Sequence, residues 1–272
     1  SALEEVVVVG YGQQKKISLV GAQATITPKD LKQPVSNLTQ SLGGRVAGMV
    51  SVQRSGELGY NDANIYIRGI STFTQGFSAP LTLVDGVPRS IANVDPEDIE
   101  SFSVLKDASA TAVYGVRGAN GVILITTKGG KPGKPAYNLR YSEGISQFST
   151  LPSFADGPTY MEVSNEALKT RGMAPVYSDE AIQKTRDGSD PYLYPNVDWF
   201  KELFNNHGKV RNANANISGG SEKAIYYIGL GYYDELGMYK TDDLAKYNSS
   251  IYLNRYNVTS NITLKPSPTT TV

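Results

Sequence analysis

The sequence predicts an α+β domain followed by the first antiparallel strands of a transmembrane β-barrel, and three observations predict it. Between residues 14 and 130, short β-branched runs alternate with turn and helix-start signals. A Gly/Pro/Lys-rich stretch, Lys128–Pro135, then breaks that pattern. Beyond it, runs of about ten residues alternate apolar and polar side chains, as a strand does with lipid on one face and a polar lumen on the other.

The first element is Val6–Val9, a β-branched run held between Glu4-Glu5 and Gly10-Tyr11-Gly12. It reads as an extended strand with a flexible glycine exit. Ile17–Ile26 is strand-like, Ser36–Leu42 is a short helix closed by Gly43-Gly44, and Met49–Gln53 is a strand. Leu81–Val84 runs into an Asp85-Gly86 turn. Asp95-Pro96-Glu97-Asp98 has the form of a helix start, with an N-cap side chain, proline at the first position and acids in the first turn. A β-like run from Ile99 ends at Val104-Leu105, and Ala108–Tyr114 is a small-residue helical turn ended by Gly115. Gly118-Ala119-Asn120-Gly121 supplies a turn, because Asn-Gly tolerates positive φ. Val122–Ile125 comes next; it is too short and too β-branched for a helix, and is expected to be the buried central strand between Val104-Leu105 and Leu81–Val84. About 115 residues is an ordinary size for one such domain.

In the second half, residues 136–148, 209–218, 223–234 and 254–264 are expected to pair as consecutive antiparallel strands. Leu139, Tyr141 and Ile145 then face lipid, and Asn138 and Arg140 the lumen. In the third strand Tyr226, Ile228, Leu230 and Tyr232 alternate with Tyr227, Gly229, Gly231 and Tyr233, so glycines make the second face thin. The connections run long (151–207), short (219–221), longer (236–245) and tight (265–268), as in barrels with long outer loops and short periplasmic turns. A barrel wide enough to be plugged has about 22 strands, or roughly 220 residues before any loop at ~10 per strand. Fewer than that come after Gly130. An open sheet edge is not tolerated in lipid, so the chain, which opens abruptly at Ser1-Ala2, is expected to be a fragment or a processed protein.

Composition excludes more than it selects. With 26 basic and 26 acidic side chains, no basic face is implied, which argues against nucleic acid. Cysteine is absent, and with it any disulfide frame or thiolate nucleophile. No apolar run approaches the ~20 residues of a membrane-spanning helix. Tyrosine is the outlier, 18 against 7 phenylalanines, and it crowds into the second half, as in the aromatic girdles of outer-membrane barrels. A tyrosine-rich soluble β-protein has the same composition.

No catalytic or cofactor constellation can be assembled. The lone His207 has no nucleophile or metal-ligand pattern around it. Gly115, Gly118 and Gly121 lack phosphate-loop spacing and read as turn glycines. The acids Asp95, Glu97, Asp98 and Glu100 could hold a cation, but acids at a helix start already complement the helix dipole. Tyr192, Tyr194, Trp199, Phe200 and Phe204, in the long insertion, could stack on sugar rings or meet a lid protein, although the commoner role of such a cluster is the small core of a long loop. Arg68 and Arg117 each sit in a glycine-flanked turn, where a guanidinium fork can bridge carboxylates.

Taken together, IYIRGI (65–70), PLTLVDGVP (80–88) and the block from DPEDIE through LKDASA and RGANGVI to KGG (95–130) resemble the plug domain of TonB-dependent outer-membrane transporters, most of all the SusC/RagA-like family. The resemblance divides the chain into a TonB box and linker (1–13), a plug (14–130) and the first barrel strands with a long extracellular loop (131–272). It implies that Glu4, Glu5, Val6, Val7, Val8, Val9, Gly10 and Tyr11 form the box, which leaves the plug and adds as a strand to TonB. Without that context Val6–Val9 would be an ordinary N-terminal strand. It further implies that Arg68 and Arg117 pair with acids of the barrel wall. The expected activity is import, not catalysis: glycan or peptide fragments are captured with a SusD-like surface lipoprotein, and TonB, with its inner-membrane energising complex, remodels the plug. A TonB-linked ligand sensor and a soluble binding or adhesion module are the alternatives, and longer sequence on both sides would separate them.

Overall fold

The structure, a computed structural model, describes residues 23–33, 35–71, 78–92, 94–106, 111–241, 247, 250–267 and 270 in full, and residues 6–9 and 12–15 as backbone. Its contacts define two units, Ser1–Gly144 with Lys209–Leu236 and Tyr252–Val272, and Ile145–Gly208 with Gly237–Ile251.

In the first unit, β1 (Val6–Val9) pairs antiparallel with β2 (Gly12–Lys15), so the valine run is a strand, and its hairpin crosses the expected boundary at residue 13. β3 (Gln23–Ile26) leads into a single turn of helix, α1 (Pro28–Leu31), with proline in its first turn. The rest of the expected strand, 17–22, lies outside the described residues. The segment expected to be a helix from Ser36 is a 3-10 turn, Leu38–Leu42, whose N-cap Asn37 accepts from the Thr39 amide. β4 (Met49–Gln53) and β5 (Ala63–Ile67) form a two-stranded antiparallel sheet.

β6 (Leu81–Val84), β7 (Val87–Pro88), β8 (Ile99–Leu105) and β9 (Val122–Thr127) join β3 in one sheet ordered β3-β8-β9-β6-β7. Asp85 and Gly86 both take positive φ, 50° and 80°, as the tight β6–β7 hairpin requires. The Asp85 carboxylate accepts from the amide and hydroxyl of Thr127, each at 2.8 Å, and so ties the turn to the end of β9. β9 lies between antiparallel β8 and parallel β6, as the sequence predicts. Both of its faces are covered. Ile123 and Ile125 enter the main core with Phe102, Val104 and Leu38, while Val122 and Leu124 pack with Leu83 and Leu105. A strand covered on both sides has no polar face to show, which is why its sequence is a continuous apolar run.

The Asp95–Asp98 segment is one 3-10 turn, Pro96–Asp98, and not the start of a longer helix. Ile99, Phe102 and Val104 come after it, each fully buried in the sheet core, and extension satisfies that burial where a helix would not. Ala108–Ala110 lie outside the described residues, and Ala112–Gly118 is a 3-10 stretch broken at Gly115 by φ 57°. Gly121 has φ 92°, and a Cβ there would sit 2.7 Å from Ile67 Cδ1. These glycines serve turns and close packing.

The second sheet is ordered β10-β11-β12-β13, with β10 Gly133–Ser146, β11 Gly208–Gly220, β12 Ala224–Leu236 and β13 Tyr252–Leu264. β11 pairs antiparallel with β12, and β12 with β13, each through an unbroken register. The boundaries fall within a few residues of expectation, and β10 starts inside the stretch read as linker. One face is apolar and exposed on this chain, with Leu139, Tyr141, Ile145, Leu230, Tyr256, Val258 and Ile262 along it.

The second unit is built from the two long connections. Its helices are α2 (Gly157–Lys169), α3 (Asp179–Asp187) and α4 (Trp199–Leu203), each capped by the side chain before it: Asp156, Ser178 and Asp198. Buried Asn165 accepts from the amides of Val176 and Tyr177 and donates to the Tyr177 carbonyl, which fixes the α2–α3 turn.

Candidate functional site

The apolar/polar alternation of β10–β13 leaves one face carrying Arg140, Asn214, Tyr227, Tyr233, Arg255, Thr259 and Asn261, and this face meets the α+β domain. The contact centres on the turn between β7 and β8. Asp98 accepts from the Tyr227 hydroxyl at 2.7 Å through Oδ1 and from the Thr259 hydroxyl at 2.5 Å through Oδ2. Glu97, buried, pairs with Lys32 of its own domain and with Arg140 of β10 at 2.7 Å. Asp95 accepts from the Glu97 amide at 2.9 Å and from Asn214 Nδ2 at 3.3 Å. The three carboxylates thereby reach all four strands.

Lesser bonds flank the turn. Asn261 Nδ2 donates to Thr127 Oγ1 and to the Lys128 carbonyl, both at 2.8 Å. The Arg255 guanidinium donates to the Ser36 carbonyl and lies over the Tyr233 ring, 5.2 Å from its centroid. Lys128 donates through its amide to the Asp98 carbonyl at 2.7 Å and through its ammonium to the Glu97 carbonyl. The seam thus joins the acid turn to the end of β9 as well as to the wall.

Burial sets the electrostatics. Loss of water around Asp95 pushes its carboxyl above the usual range, with the neighbouring Asp98 charge adding to the effect and the Glu97 amide opposing it. Burial also lowers the Lys128 ammonium, helped by the Lys32 charge. The acids do start a helical turn, capped by Asp95, but it is only three residues long, and Asp95, Glu97 and Asp98 are also bonded to wall side chains up to 161 residues away in sequence, while Glu100 is exposed on β8. The sequence carried one signal for them, the thin glycine face of β12, which had no assigned partner.

The residues nominated from sequence lie on β1 and on two turns of the domain. Val6–Val9 of the box form the β1 strand, while Glu4, Glu5, Gly10 and Tyr11 lie outside the described residues. Arg68 takes φ 61° in the turn after β5, its amide bonded to the Gly48 carbonyl at 2.8 Å. Arg117 is exposed on the 3-10 stretch and has no ion pair among the described residues.

In the second unit, Phe200 stacks on Phe154 and Phe204, and Phe204 meets Phe148 edge-on and Tyr239 at 4.7 Å. The rings cluster at the surface of the unit, since none of the five is buried and Phe154 is 72% exposed. Tyr192 and Trp199 remain outside the cluster, 95% and 65% exposed, and Tyr194 receives the Lys184 ammonium over its ring.

A mixed sheet whose acid turn is bonded to the polar face of four strands is the arrangement of a plug against part of a barrel wall, and known proteins share it. Residues 15–122 match the TonB-dependent Receptor Plug Domain. TonB-dependent receptor P26 of Formosa agariphila is 36% identical over 255 residues, 91% of this chain and 24% of that protein. TonB-dependent receptor SusC of Bacteroides thetaiotaomicron is 33% identical over 263 residues, 92% of this chain and 24% of that protein. The RagAB peptide importer in its open-open state superposes with a TM-score of 0.75 at 30% identity, over 97% of this chain and 30% of that chain. The chain therefore belongs to the SusC/RagA-like TonB-dependent receptors and comprises a plug with adjoining wall strands. It spans about a quarter of the length of the curated relatives it matches.

Proposed function

We propose that this chain is the TonB box, plug and first wall strands of an importer that admits glycan or peptide fragments across the bacterial outer membrane. Residues 1–13 serve as box and linker, 14–130 as plug, and 131–272 as wall strands with an extracellular loop at 151–207. The observation that carries the reading is the seam, where Asp95, Glu97 and Asp98 are bonded to β10–β13. A domain seated in this way closes a barrel until something pulls on it. β1, with one edge unpaired among the described residues, is the handle: TonB adds to it as a strand and draws on it with energy from the inner membrane. No bond in the ligand is made or broken.

The likeness to SusC and to a peptide importer supports a SusD-like surface lipoprotein as the partner above the plug, and either oligosaccharide or peptide as cargo. Arg68 and Arg117, both on turns, pair with acids of the barrel wall. Accumulation of labelled oligosaccharide and peptide pools by cells carrying the full-length receptor, with and without TonB, tests the reading. One of the two classes should accumulate only when TonB is present. Ligand-dependent transcription with no accumulation would make the protein a sensor and overturn it.

A further inference from the structure

The face of β12 that meets the plug reads Tyr227, Gly229, Gly231, Tyr233, and the two tyrosines are almost fully buried. A Cβ on Gly229 would lie 2.6 Å from Asp98 Oδ1, and one on Gly231 would lie 2.5 Å from Asp95 Oδ2. Real Cβ atoms do not approach so closely, so each plug carboxylate occupies the space that a side chain would fill. Neither glycine takes the positive φ that would otherwise explain it.

The register shows what surrounds each gap. Across the strands, Gly231 is paired with Asn214 on β11 and Asn257 on β13, and Gly229 with Asn216 and Thr259. Asn214 is the donor to Asp95, and Thr259 is a donor to Asp98. Tyr227, next on the same face of β12, is the second donor to Asp98. Asn216 Nδ2 donates to Asn214 Oδ1 at 3.2 Å, which leaves the Asn214 amide hydrogens turned toward Asp95. Each missing side chain is thus flanked by a donor to the carboxylate that enters there.

We propose that Gly229 and Gly231, with Asn214, Tyr227 and Thr259, form a two-place carboxylate socket on the barrel wall that seats the plug in a single register. The glycines are positioning residues: they supply depth, and their cross-strand neighbours supply hydrogen bonds. A one-residue slip of β12 would turn Ile228 and Leu230 toward the acids, and a two-residue slip would set Tyr227 or Tyr233 against a carboxylate. The seat therefore accepts one docking of the Asp95–Asp98 turn. The inference rests on the reading of this chain as the plug and wall of a transporter, but it requires no particular cargo.

The test is a double-variant cycle in the full-length receptor: Gly231→Ala, Asp95→Ser and the pair. Serine keeps an oxygen to cap the Glu97 amide and withdraws the carboxylate from the socket. Two readouts are taken, hydrogen exchange of the amides of residues 95, 97 and 98 in detergent micelles and the sensitivity of TonB-deficient cells to vancomycin, which an intact outer membrane excludes. Gly231→Ala alone should speed exchange by about tenfold and sensitise the cells, since overpacking displaces the turn. Adding Asp95→Ser should return both readouts toward wild type. A barrel that fails to assemble with Gly231→Ala and assembles with the pair gives the same answer. A silent Gly231→Ala, or a pair no better than the single variant in either readout, overturns the socket. Neither readout uses TonB or an imported ligand, so an error in the import reading leaves this result standing.

Discussion

Ile123 is the residue on which the plug core turns. It is fully buried, in the central strand of the five-stranded sheet, and packs into the main cluster. Its truncation to alanine should cost about 2–5 kcal/mol, against a domain stability of roughly 5–15 kcal/mol. Arg117 is exposed, and its removal should leave folding nearly unchanged. Denaturant unfolding of residues 14–130 expressed as a separate domain checks both. A large drop in midpoint is expected for Ile123→Ala and little change for Arg117→Ala, whereas equal midpoints for Ile123→Ala and the parent would contradict the core. Position 123 could be found from sequence because burial on two faces writes a continuous apolar run. The acids at 95, 97 and 98 could not, because a buried carboxylate and a helix-start carboxylate look alike until the wall partner arrives from 43 to 161 residues away.

At the level of elements, the period-2 pattern carried the second half of the chain well. All four wall strands were legible, with their order in the sheet and the long–short–longer spacing of their connections, since lipid on one side and polar groups on the other constrain every second residue. Arg140 pairs with the plug acid Glu97, so the assigned faces of β10 agree with the structure at that position. Single cysteines along β10, probed with a lipid-soluble thiol reagent in membranes, should react at 139, 141 and 145 and stay protected at 138 and 140. The reverse pattern would contradict the assignment. Short helices were the less legible elements. Ser36–Leu42 and Asp95–Asp98 both carry good N-cap signals, and both close after one 3-10 turn because the chain must return to cover the sheet. Capping residues report where a helical turn begins; tertiary packing decides how long it lasts.

On the proposed reading three parts act in series: a strand that a partner can grip, a plug with its own core, and a wall whose polar face holds the plug through buried carboxylates. The wall grips the turn between β7 and β8 and the end of β9, while the handle lies at the opposite end of the plug sequence, in β1. On that reading, load applied at β1 passes through the plug before it reaches the seam. The sharpest check on this order is uptake by the full-length receptor carrying Val8→Pro, which removes one strand donor from β1 and leaves every residue of the plug core and the seam unchanged. This receptor should reach the outer membrane folded, shown by an unchanged heat-dependent shift on gels, yet accumulate no ligand even with TonB present. Wild-type uptake by the folded Val8→Pro receptor would contradict the role given to β1.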